Sequence, residues 1–356
     1  MFGDIYKGRR VLVTGHSGFK GSWLVLWLQQ LGAEVTGLSL VPNTQPNHWT
    51  LLGTNIDSVF LDIRDPQRVM AAIGEAKPEI IFHLAAQPLV RRSYREPTET
   101  WHTNVVGTAN LLNACRFTEC LKAVVVVTTD KCYANIEADY AYQESDRLGG
   151  YDPYSASKAG AELVVDSFRQ SFFSERGPLI ASARAGNVIG GGDWSEDRLI
   201  PDLSRAMEND GVLEIRSPRS TRPWQHVLEC LSGYLLLGSR LLSGQRQFAE
   251  AWNFGPGRDG NRTVEEVLTT LRLSWPKLSW EVRAGDHPHE AKLLQLDCSK
   301  ANSVLEWWPV WTFETAVEKT AEWYCAWSED RTVLSVKQLE DYIASGRAKG
   351  STWTRC

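Results

Sequence analysis

The chain has 356 residues, of which 43% are hydrophobic and 23% are charged, a composition typical of a globular protein with about two domains. Its net charge of −5 argues against nucleic-acid binding, and the first apolar run, residues 11–13, is far too short for a signal peptide or a membrane span. The seven cysteines show neither zinc-site spacing nor a disulfide framework, so we expect reduced thiols in a cytoplasmic protein.

Short apolar runs alternate with helical patterns through the first half of the chain. The pattern predicts strands at residues 10–14, 34–40, 79–84 and 123–128, and helices at 22–31, 66–75, 103–116 and 154–173. Continuous apolar strands are typical of a sheet that is covered on both faces. The sequence therefore predicts an α/β fold with a Rossmann-like, doubly wound parallel sheet.

The alternation ends near Gly190, and the rest of the chain is irregular and rich in Trp, Pro, Arg and His. We expect a dinucleotide-binding Rossmann domain over residues 1–190, to which about residues 224–256 return. Residues 191–356 should mainly form a smaller C-terminal α/β domain. Its polar end, about residues 328–356, predicts a terminal helix with a loose tail.

A glycine-rich turn lies between the first predicted strand and the first predicted helix. Glycines let the backbone approach a pyrophosphate, and a helix N-terminus favours its negative charge. The turn therefore predicts a dinucleotide site built from Gly15, His16, Ser17, Gly18, Phe19, Lys20 and Gly21.

The end of the second predicted strand lacks the acid that usually holds the ribose diol of NAD. Ser39 offers a weaker hydrogen bond there, and no arginine offers itself for a 2′-phosphate, which favours NAD over NADP. Asp62 and Ile63 follow a short apolar run, where they could cap the adenine. Asp62 could equally cap the helix that begins near Pro66, and both interpretations stay open.

Tyr154 and Lys158 are four residues apart in a predicted helix and therefore share one face. An ammonium favours phenolate, so we expect it to lower the tyrosine pKa from about 10 toward working pH, as a base beside a nicotinamide requires. The pair alone is weak evidence, since it arises often by chance. Together with the glycine turn and Thr129-Asp130-Lys131, in this order and spacing, it indicates an oxidoreductase site.

Several longer motifs extend the pattern across most of the chain. They are TGHSGFKG (14–21), HLAAQPLV (83–90), TDKCY (129–133), YDPYSASK (151–158), RAGNVIGGGDW (184–194), RPWQHV (222–227), WNFG (252–255) and HPHEA (287–291). On these motifs the chain resembles, from about residue 8 to 327, the extended short-chain dehydrogenase/reductases, and among them the CDP-glucose 4,6-dehydratases. The glycine turn and the Tyr/Lys pair are common to the superfamily, whereas TDK and GGGDW are much narrower.

The resemblance implies an NAD-dependent lyase that oxidises a hexose at C4, eliminates water across C5 and C6, and reduces C6. Tyr154 would take the C4 hydroxyl proton, Lys158 would keep Tyr154 ionisable, and Thr129 would hydrogen-bond the C4 oxygen. Asp130 would protonate the leaving C6 hydroxyl. Lys131 stands where the C5 base is expected. Alternatively, Lys131 would stay charged and stabilise a C4–C5 enolate, with Tyr154 or water taking the C5 proton.

The resemblance also assigns binding residues and a setting. Further contacts to NAD would come from Leu84, Ala85, Ala86, Gln87 and Asn104, and also from Tyr154 and Lys158. The second domain would hold CDP-glucose through Asn187, Arg198, Arg222, His289 and Glu290. Asn187 could instead be a turn residue, and the His287/His289 pair lacks an evident third ligand, so we expect no metal.

The resemblance further implies a homodimer or tetramer, contacting through helices near residues 103–116 and 154–173, in the supply of deoxyhexoses for bacterial surface polysaccharide. Alternatives are a 4,6-dehydratase acting on GDP-mannose or dTDP-glucose, a nucleotide-sugar 4-epimerase, and a non-catalytic NAD sensor of the same fold. Asp130 and Lys131 count against the epimerase, which has no elimination to catalyse. The intact set of Thr129, Tyr154 and Lys158 counts against the sensor.

Overall fold

The computed structural model describes residues 1–209, 211–283 and 293–355. The strands in this part are β1 (Arg10–Thr14), β2 (Glu34–Ser39), β3 (Asp57–Phe60), β4 (Ile80–His83), β5 (Ala123–Val127), β6 (Ala141–Tyr142), β7 (Leu179–Ala185), β8 (Val188–Ile189), β9 (Leu213–Ile215), β10 (Thr221–Pro223), β11 (Gln225–His226), β12 (Ala251–Phe254), β13 (Asn261–Thr263), β14 (Trp280–Val282) and β15 (Gln295–Leu296). The α-helices are α1 (Phe19–Gln30), α2 (His48–Leu52), α3 (Pro66–Ala76), α4 (Val90–Arg95), α5 (Pro97–Trp101), α6 (Gly107–Cys115), α7 (Pro153–Phe172), α8 (Leu199–Glu208), α9 (Val227–Leu242), α10 (Val264–Ser274), α11 (Ser299–Ser303), α12 (Phe313–Asp330) and α13 (Ser335–Ala348).

A parallel sheet organises the first two thirds of the chain. Among the described residues it has seven strands in the order β12-β7-β5-β4-β1-β2-β3. The chain builds outward from β1 in both directions, so the order reverses between β1 and β4. In open α/β sheets, ligands bind at such a switch point, beyond the carboxyl ends of the strands. The predicted α/β class and the doubly wound parallel sheet are confirmed.

Both faces of the sheet are covered, because side chains alternate along each strand. Val11 and Val13 of β1 face the core formed with α1 and α9, whereas Leu12 faces α3, α6 and α7. Every residue of β5 is buried. This two-sided burial explains why the strands are nearly continuous apolar runs.

Aspartate caps fix where two of the covering helices begin. Asp65 accepts hydrogen bonds from the Gln67 and Arg68 amides at the start of α3. Asp152 accepts from the Ser155 amide at the start of α7, and proline follows each cap at the first helical position. The cap at Asp152 places Tyr154 in the first turn of α7.

A second apolar core lies mainly in the later part of the chain. It packs α8, α10 and α12 against the parallel pair β9–β14. Trp194, Trp224 and Trp323 are buried in it, as core packing of the many tryptophans predicts. Of the helices in the described ranges, none has the length and apolar character that crossing a bilayer requires.

The C-terminal segment is not a loose tail, and that expectation is wrong. Trp353 is 1% exposed and stacks on Tyr342 of α13 at 5.6 Å and on Phe2 at 5.7 Å between ring centroids. Gly3 donates its amide to the Arg355 carbonyl at 3.1 Å. The polar residues that suggested a solvated tail alternate with apolar residues. These apolar residues complete the core that lies between the sheet, α1 and α9.

A buried carboxyl group in α9 anchors this segment. Glu229 accepts hydrogen bonds from the Val310 amide (2.8 Å), the Trp311 amide (2.7 Å) and the Tyr342 hydroxyl (2.8 Å). Burial raises the pKa of Glu229 to about 7, although these hydrogen bonds act in the opposite direction.

This pKa predicts that the C-terminal anchor weakens as pH rises. The folded state holds the Glu229 proton more tightly than an unfolded chain with an ordinary pKa of 4.5. Its contribution is therefore fully present below the unfolded value, and about 3 kcal/mol is lost as pH rises through the folded value. We expect Glu229→Gln to flatten the decline in thermal midpoint between acidic and alkaline buffers. Glu314→Gln, on the exposed face of α12, is the control, and equal pH slopes in both variants would contradict the prediction.

Candidate active site

The glycine turn after β1 is shaped by close backbone contacts. Gly15 has a φ of +72°, and a Cβ there would lie 2.8 Å from the Ala85 nitrogen. A Cβ on Gly21 would lie 2.0 Å from the Gly15 carbonyl oxygen. Gly18 is the N-cap of α1 and carries no side chain, so no N-cap side chain accepts a hydrogen bond from the first amides of α1. Phe19 and Lys20 form the first turn of that helix.

The loop after β4 is attached to this turn by hydrogen bonds. The Leu84 and Ala85 amides both donate to Thr14 Oγ1 at 3.1 Å, and Ala86 follows them at the same edge of the sheet. His83 Nδ1 lies 2.7 Å from the same Thr14 oxygen. Burial, followed by the charge of Lys158, lowers the pKa of His83 to about 3, so this histidine is a neutral structural link.

Asn104 fastens the loop to the helix that carries Tyr154. It lies in a π-helical turn, His102–Val106, and its amide group donates to the Gln87 carbonyl (3.0 Å) and to Ser157 Oγ (2.8 Å). Its Oδ1 accepts from the Gln87 amide at 2.8 Å. These bonds join Gln87 to α7 through Asn104, and the expected contact of Asn104 with the cofactor stays a prediction.

The remaining residues of the turn pack around the end of β2. Ser17 Oγ and Ser39 Oγ are 2.8 Å apart. The His16 ring meets Trp49 edge to face at 4.7 Å and covers Gly37, where a Cβ would collide with it. Burial lowers the pKa of His16 to about 4, which indicates packing rather than proton transfer.

The structure decides one of the two interpretations of Asp62. Asp65 caps α3, so the interpretation of Asp62 as the helix cap is wrong. Asp62 instead accepts from the amide and the guanidinium of Arg64. Ile63 packs closely on Gly107, where a Cβ would lie 2.6 Å from its Cδ1. Contact of Asp62 and Ile63 with the adenine stays a prediction.

The predicted catalytic residues meet beyond the end of β5. Thr129 caps a short 3₁₀ turn, Asp130–Cys132, and its hydroxyl donates to Asp130 Oδ1 at 2.9 Å. This turn packs against the first turns of α7, where Tyr154 and Lys158 are both buried. The structure thus brings together the two motifs that the sequence analysis paired.

Burial controls the proton affinities of the Tyr/Lys pair. It raises the pKa of Tyr154 to about 12, while a hydrogen bond with Thr129 and the charge of Arg198 act in the opposite direction. The expectation that Lys158 brings this pKa below its ordinary value is therefore wrong. Lys158 Nζ donates to the Val127 carbonyl at 3.1 Å, and burial, followed by the charge of Lys20, lowers the pKa of Lys158 to about 8.

Asp130 and Lys131 form a contact beside Asn187. Lys131 Nζ lies 3.8 Å from Asp130 Oδ1 and donates to Asn187 Oδ1 at 3.3 Å. Asp130 is 1% exposed, and among the described residues its Oδ2 has no hydrogen-bond partner. A buried carboxyl oxygen without a protein partner is available to a bound hydroxyl. Asn187 contacts Lys131, and its expected contact with the sugar or its phosphate stays a prediction.

The arginines expected to bind substrate lie on the second core. Arg198 Nη1 donates to Asp193 Oδ2 at 3.0 Å, an interaction that the sequence analysis missed. Arg222 is buried, and its Nη1 donates to the Thr221 carbonyl at 2.9 Å. His289 and Glu290 lie outside the described residues. Across the described ranges, no group of three or more His, Cys, Asp or Glu is arranged to hold a metal.

The sequence analysis also missed two buried residues beneath the site. Glu162 lies one turn beyond Lys158 on α7, and Arg184 lies on β7, within the RAGNVIGGGDW motif. The repeated spacing of four from Tyr154 through Lys158 to Glu162 was the available signal. Their ion pair joins α7 to the sheet at 2.8 Å.

Comparisons with known proteins agree with this geometry. The family model described as GDP-mannose 4,6 dehydratase matches residues 12–320. The chain is 47% identical over 352 residues to a CDP-glucose 4,6-dehydratase of Salmonella typhimurium, covering 96% of this chain and 98% of that one. It is 27% identical to a dTDP-glucose 4,6-dehydratase of Xanthomonas campestris, with 88% and 92% covered.

A solved structure extends the likeness to the fold. DesIV, a dTDP-glucose 4,6-dehydratase from Streptomyces venezuelae solved with NAD and TYD bound, has a TM-score of 0.77 and 26% identity to this chain. The match covers 90% of this chain and 99% of DesIV. The family model spans well over half of the sequence, and the Salmonella relative spans nearly all of it. The chain therefore belongs to the GDP-mannose 4,6-dehydratase family.

Proposed function

We propose that this chain is an NAD-dependent nucleotide-sugar 4,6-dehydratase that converts CDP-glucose to CDP-4-keto-6-deoxyglucose and water. The observation that carries the proposal is the meeting of two sets of groups in one buried site. Tyr154, Lys158 and Thr129 suit oxidation at C4, and Asp130 with Lys131 suits elimination across C5 and C6. The 47% identity to a CDP-glucose 4,6-dehydratase supports CDP as the nucleotide.

The residues at the switch point fit NAD. Gly15 and Gly21 let the turn pack closely on the backbone of Ala85 and on itself, where a Cβ would collide, and the N-terminus of α1 favours the charge of a pyrophosphate. Ser39 and Ser17 present hydroxyls at the end of β2 for a ribose. NAD supplies the reversible hydride acceptor that connects C4 of the substrate to C6 of the product.

The oxidation uses groups on both sides of the C4 hydroxyl. Tyr154 accepts the hydroxyl proton, and the Thr129 hydroxyl hydrogen-bonds the C4 oxygen. The pKa of about 12 means that Tyr154 needs nearby positive charge to act as a base. Arg198 supplies one such charge. Lys158, one turn further along α7 and held by the Val127 carbonyl, would supply another as an ammonium.

The elimination removes the C5 proton and the C6 hydroxyl. The C4 ketone acidifies the C5 hydrogen, the C6–O bond breaks, and Asp130 gives its proton to the departing hydroxyl, which leaves as water. Lys131 lies beside Asp130 and Asn187, where as an ammonium it would stabilise the C4–C5 enolate by its charge. The C5 proton would then pass to water, or to Tyr154 once Tyr154 has released the C4 hydroxyl proton. A neutral Lys131 that takes the C5 proton is the alternative.

The two apolar cores support separate binding roles for the two parts of the chain. In our proposal residues 1–190 bind NAD, together with about residues 224–256, which include β12 of the main sheet. Residues 191–356 mainly bind the nucleotide sugar. Arg198 and Arg222 would bind the diphosphate, and His289 and Glu290 the far end of the nucleotide.

A 4,6-dehydratase acting on GDP-mannose or dTDP-glucose is the second candidate. The description of the matching family and the structural likeness to DesIV support it. A 4-epimerase has no use for Asp130, whose buried Oδ2 is available to a leaving hydroxyl. Competition among nucleotide sugars, with identification of the product, separates these candidates, because each predicts a different preferred nucleotide or product.

We also propose that the enzyme is a cytoplasmic homodimer that supplies deoxyhexoses for surface polysaccharide, such as the O-antigen of lipopolysaccharide. The dimer is supported by apolar side chains that are between 41% and 64% exposed along α5, the π-helical turn, the segment just after α6, and α7. They are Trp101, Val106, Phe117, Leu163 and Phe172.

The hydride should move within one substrate molecule. Of CDP-, dTDP-, UDP- and GDP-sugars in competition, CDP-glucose should be consumed first, as followed by 4-keto product. With deuterium at C4 of CDP-glucose, mass spectrometry should find the label at C6 of the same product molecule, with only catalytic NAD present. Preference for another nucleotide would refute the CDP assignment, and an unlabelled C6 would refute internal transfer.

Lys131 variants should separate charge from proton transfer. Lys131→Met should permit oxidation but slow elimination, so that the absorbance of reduced nicotinamide accumulates on the enzyme. If charge is what matters, Lys131→Arg should recover part of the elimination rate, because arginine keeps the charge and cannot act as a base. Tyr154→Phe is the control that should block oxidation and give no such absorbance. Loss of oxidation in Lys131→Met would show that Lys131 acts in binding or in hydride transfer.

The dimer should dissociate when its proposed surface is charged. Sedimentation should give a mass of two 40.0-kDa chains for the wild type and of one chain for Leu163→Glu. Val336→Glu, which changes an exposed apolar residue on α13, is the matched control and should stay dimeric. A wild-type monomer at micromolar concentration would contradict the proposal.

A further inference from the structure

A third charged residue shares the face of α7 that carries Tyr154 and Lys158. Glu162 follows Lys158 by four residues and is 3% exposed, directly beneath the site. A carboxylate is seldom buried this deeply unless it is paired, so its partners indicate what it does.

Residues on or next to the strands of the sheet donate hydrogen bonds to both carboxylate oxygens of Glu162. Oε1 accepts from the Thr128 hydroxyl, and Oε2 accepts from Ser182 Oγ at 2.7 Å and from Arg184 Nη2 at 2.8 Å. Ser182 and Arg184 are two residues apart on β7 and therefore project from the same face of the sheet. Arg184 is also 3% exposed, so the ion pair is enclosed.

The network continues from Arg184 to the far side of the catalytic turn. Arg184 Nη1 donates to the Tyr133 hydroxyl at 2.8 Å, and that hydroxyl donates to Asn253 Oδ1 at 2.7 Å. Thr128 directly precedes segment 129–131, and Tyr133 follows it closely. The ion pair therefore holds both ends of the segment that carries Thr129, Asp130 and Lys131.

We propose that the Glu162–Arg184 ion pair is a positioning device that sets segment 129–131 against α7. It fixes the distance between Tyr154, which acts in oxidation, and the Asp130/Lys131 pair, which acts in elimination. This inference rests on the proposed function, and it assigns to two buried residues a role in coordinating the two halves of one reaction.

The preferred directions of hydrogen bonds explain why an ion pair orients these segments better than apolar packing would. Buried ion pairs seldom add stability over hydrophobic residues of similar volume, because desolvation offsets their attraction. They do restrict orientation, since each hydrogen bond has a preferred direction. An apolar pair would fill the same space but leave the Thr128 and Tyr133 hydroxyls without these partners.

The pair also acts on Lys158 through charge. Burial and Lys20 lower the pKa of Lys158, whereas Glu162 and Cys132 favour its ammonium form, and His83 faces it as a neutral ring. Burial alone would raise the pKa of Glu162, but the charge and hydrogen bond of Arg184 hold it below its ordinary value. Glu162 therefore stays ionised over the working range of the enzyme.

Glu162→Gln tests the device, because it keeps the shape and removes the charge. With CDP-glucose as the substrate, we expect the kcat of Glu162→Gln to be about 10- to 100-fold below that of the wild type, as for a small misplacement of reacting groups. The KM should be nearly unchanged. The alkaline limb of the kcat profile should move about one pH unit lower, because Lys158 loses a neighbouring negative charge. Reduced nicotinamide should accumulate, because Asp130 and Lys131 are no longer aligned with a substrate that Tyr154 can still help to oxidise.

A matched control separates positioning from general weakening. Glu79 also bridges cations, Arg9 and Lys122, but it lies at the opposite edge of the sheet. Glu79→Gln should lower the thermal midpoint without moving the pH profile or accumulating reduced nicotinamide. Equal pH profiles in wild type and Glu162→Gln, or equal shifts in both variants, would overturn the proposal.

Two milder variants keep the test decisive if Glu162→Gln does not fold. Thr128→Val removes the hydroxyl next to segment 129–131 and should lower kcat, whereas Ser182→Ala removes a hydrogen bond to Glu162 that does not touch this segment and should lower kcat much less. Equal losses would overturn the proposal. A wild type that turns over a different nucleotide hexose would refute the CDP assignment, and the same comparison is then made with that hexose.

Discussion

All strands of the main sheet run in the same direction, and this constraint places the whole candidate site. Because their carboxyl ends meet at one edge, the turn at Gly15, the loop at Ala85 and the segment after Val127 become neighbours although more than 100 residues separate the first from the last. The reversal of strand order beside β1 opens the crevice between them. The later part of the chain adds Asn187 and Arg198 from outside this edge.

Burial then acts in opposite directions on the tyrosine and the lysine at this edge. It raises the pKa of Tyr154 and lowers that of Lys158, which brings both groups toward their neutral forms. Chemistry at the site depends on compensating charges, of which Arg198 and Glu162 are two. A buried site that needs such compensation is sensitive to changes well beneath its surface.

The sequence predicts what local pattern determines and misses what distant residues determine. The predicted strand 10–14 matches β1, and the predicted helix 154–173 nearly matches α7, because each apolar period reflects burial against the same sheet. The start of α1 was placed late, since its N-cap is a glycine without a side-chain signal. The Glu162–Arg184 pair and the direction of the Tyr154 pKa escaped prediction because both depend on tertiary burial.

The joining of the chain ends has a consequence for how the protein is made. Trp353 and Tyr342 belong to the same core as Phe2 and Trp27, which lie at the beginning of the chain. During synthesis the N-terminal part emerges first, and this portion of its core stays uncovered until Tyr342 and Trp353 have left the ribosome. The core of the Rossmann half is therefore completed late in synthesis, and its exposed aromatic surface must be protected from aggregation until then.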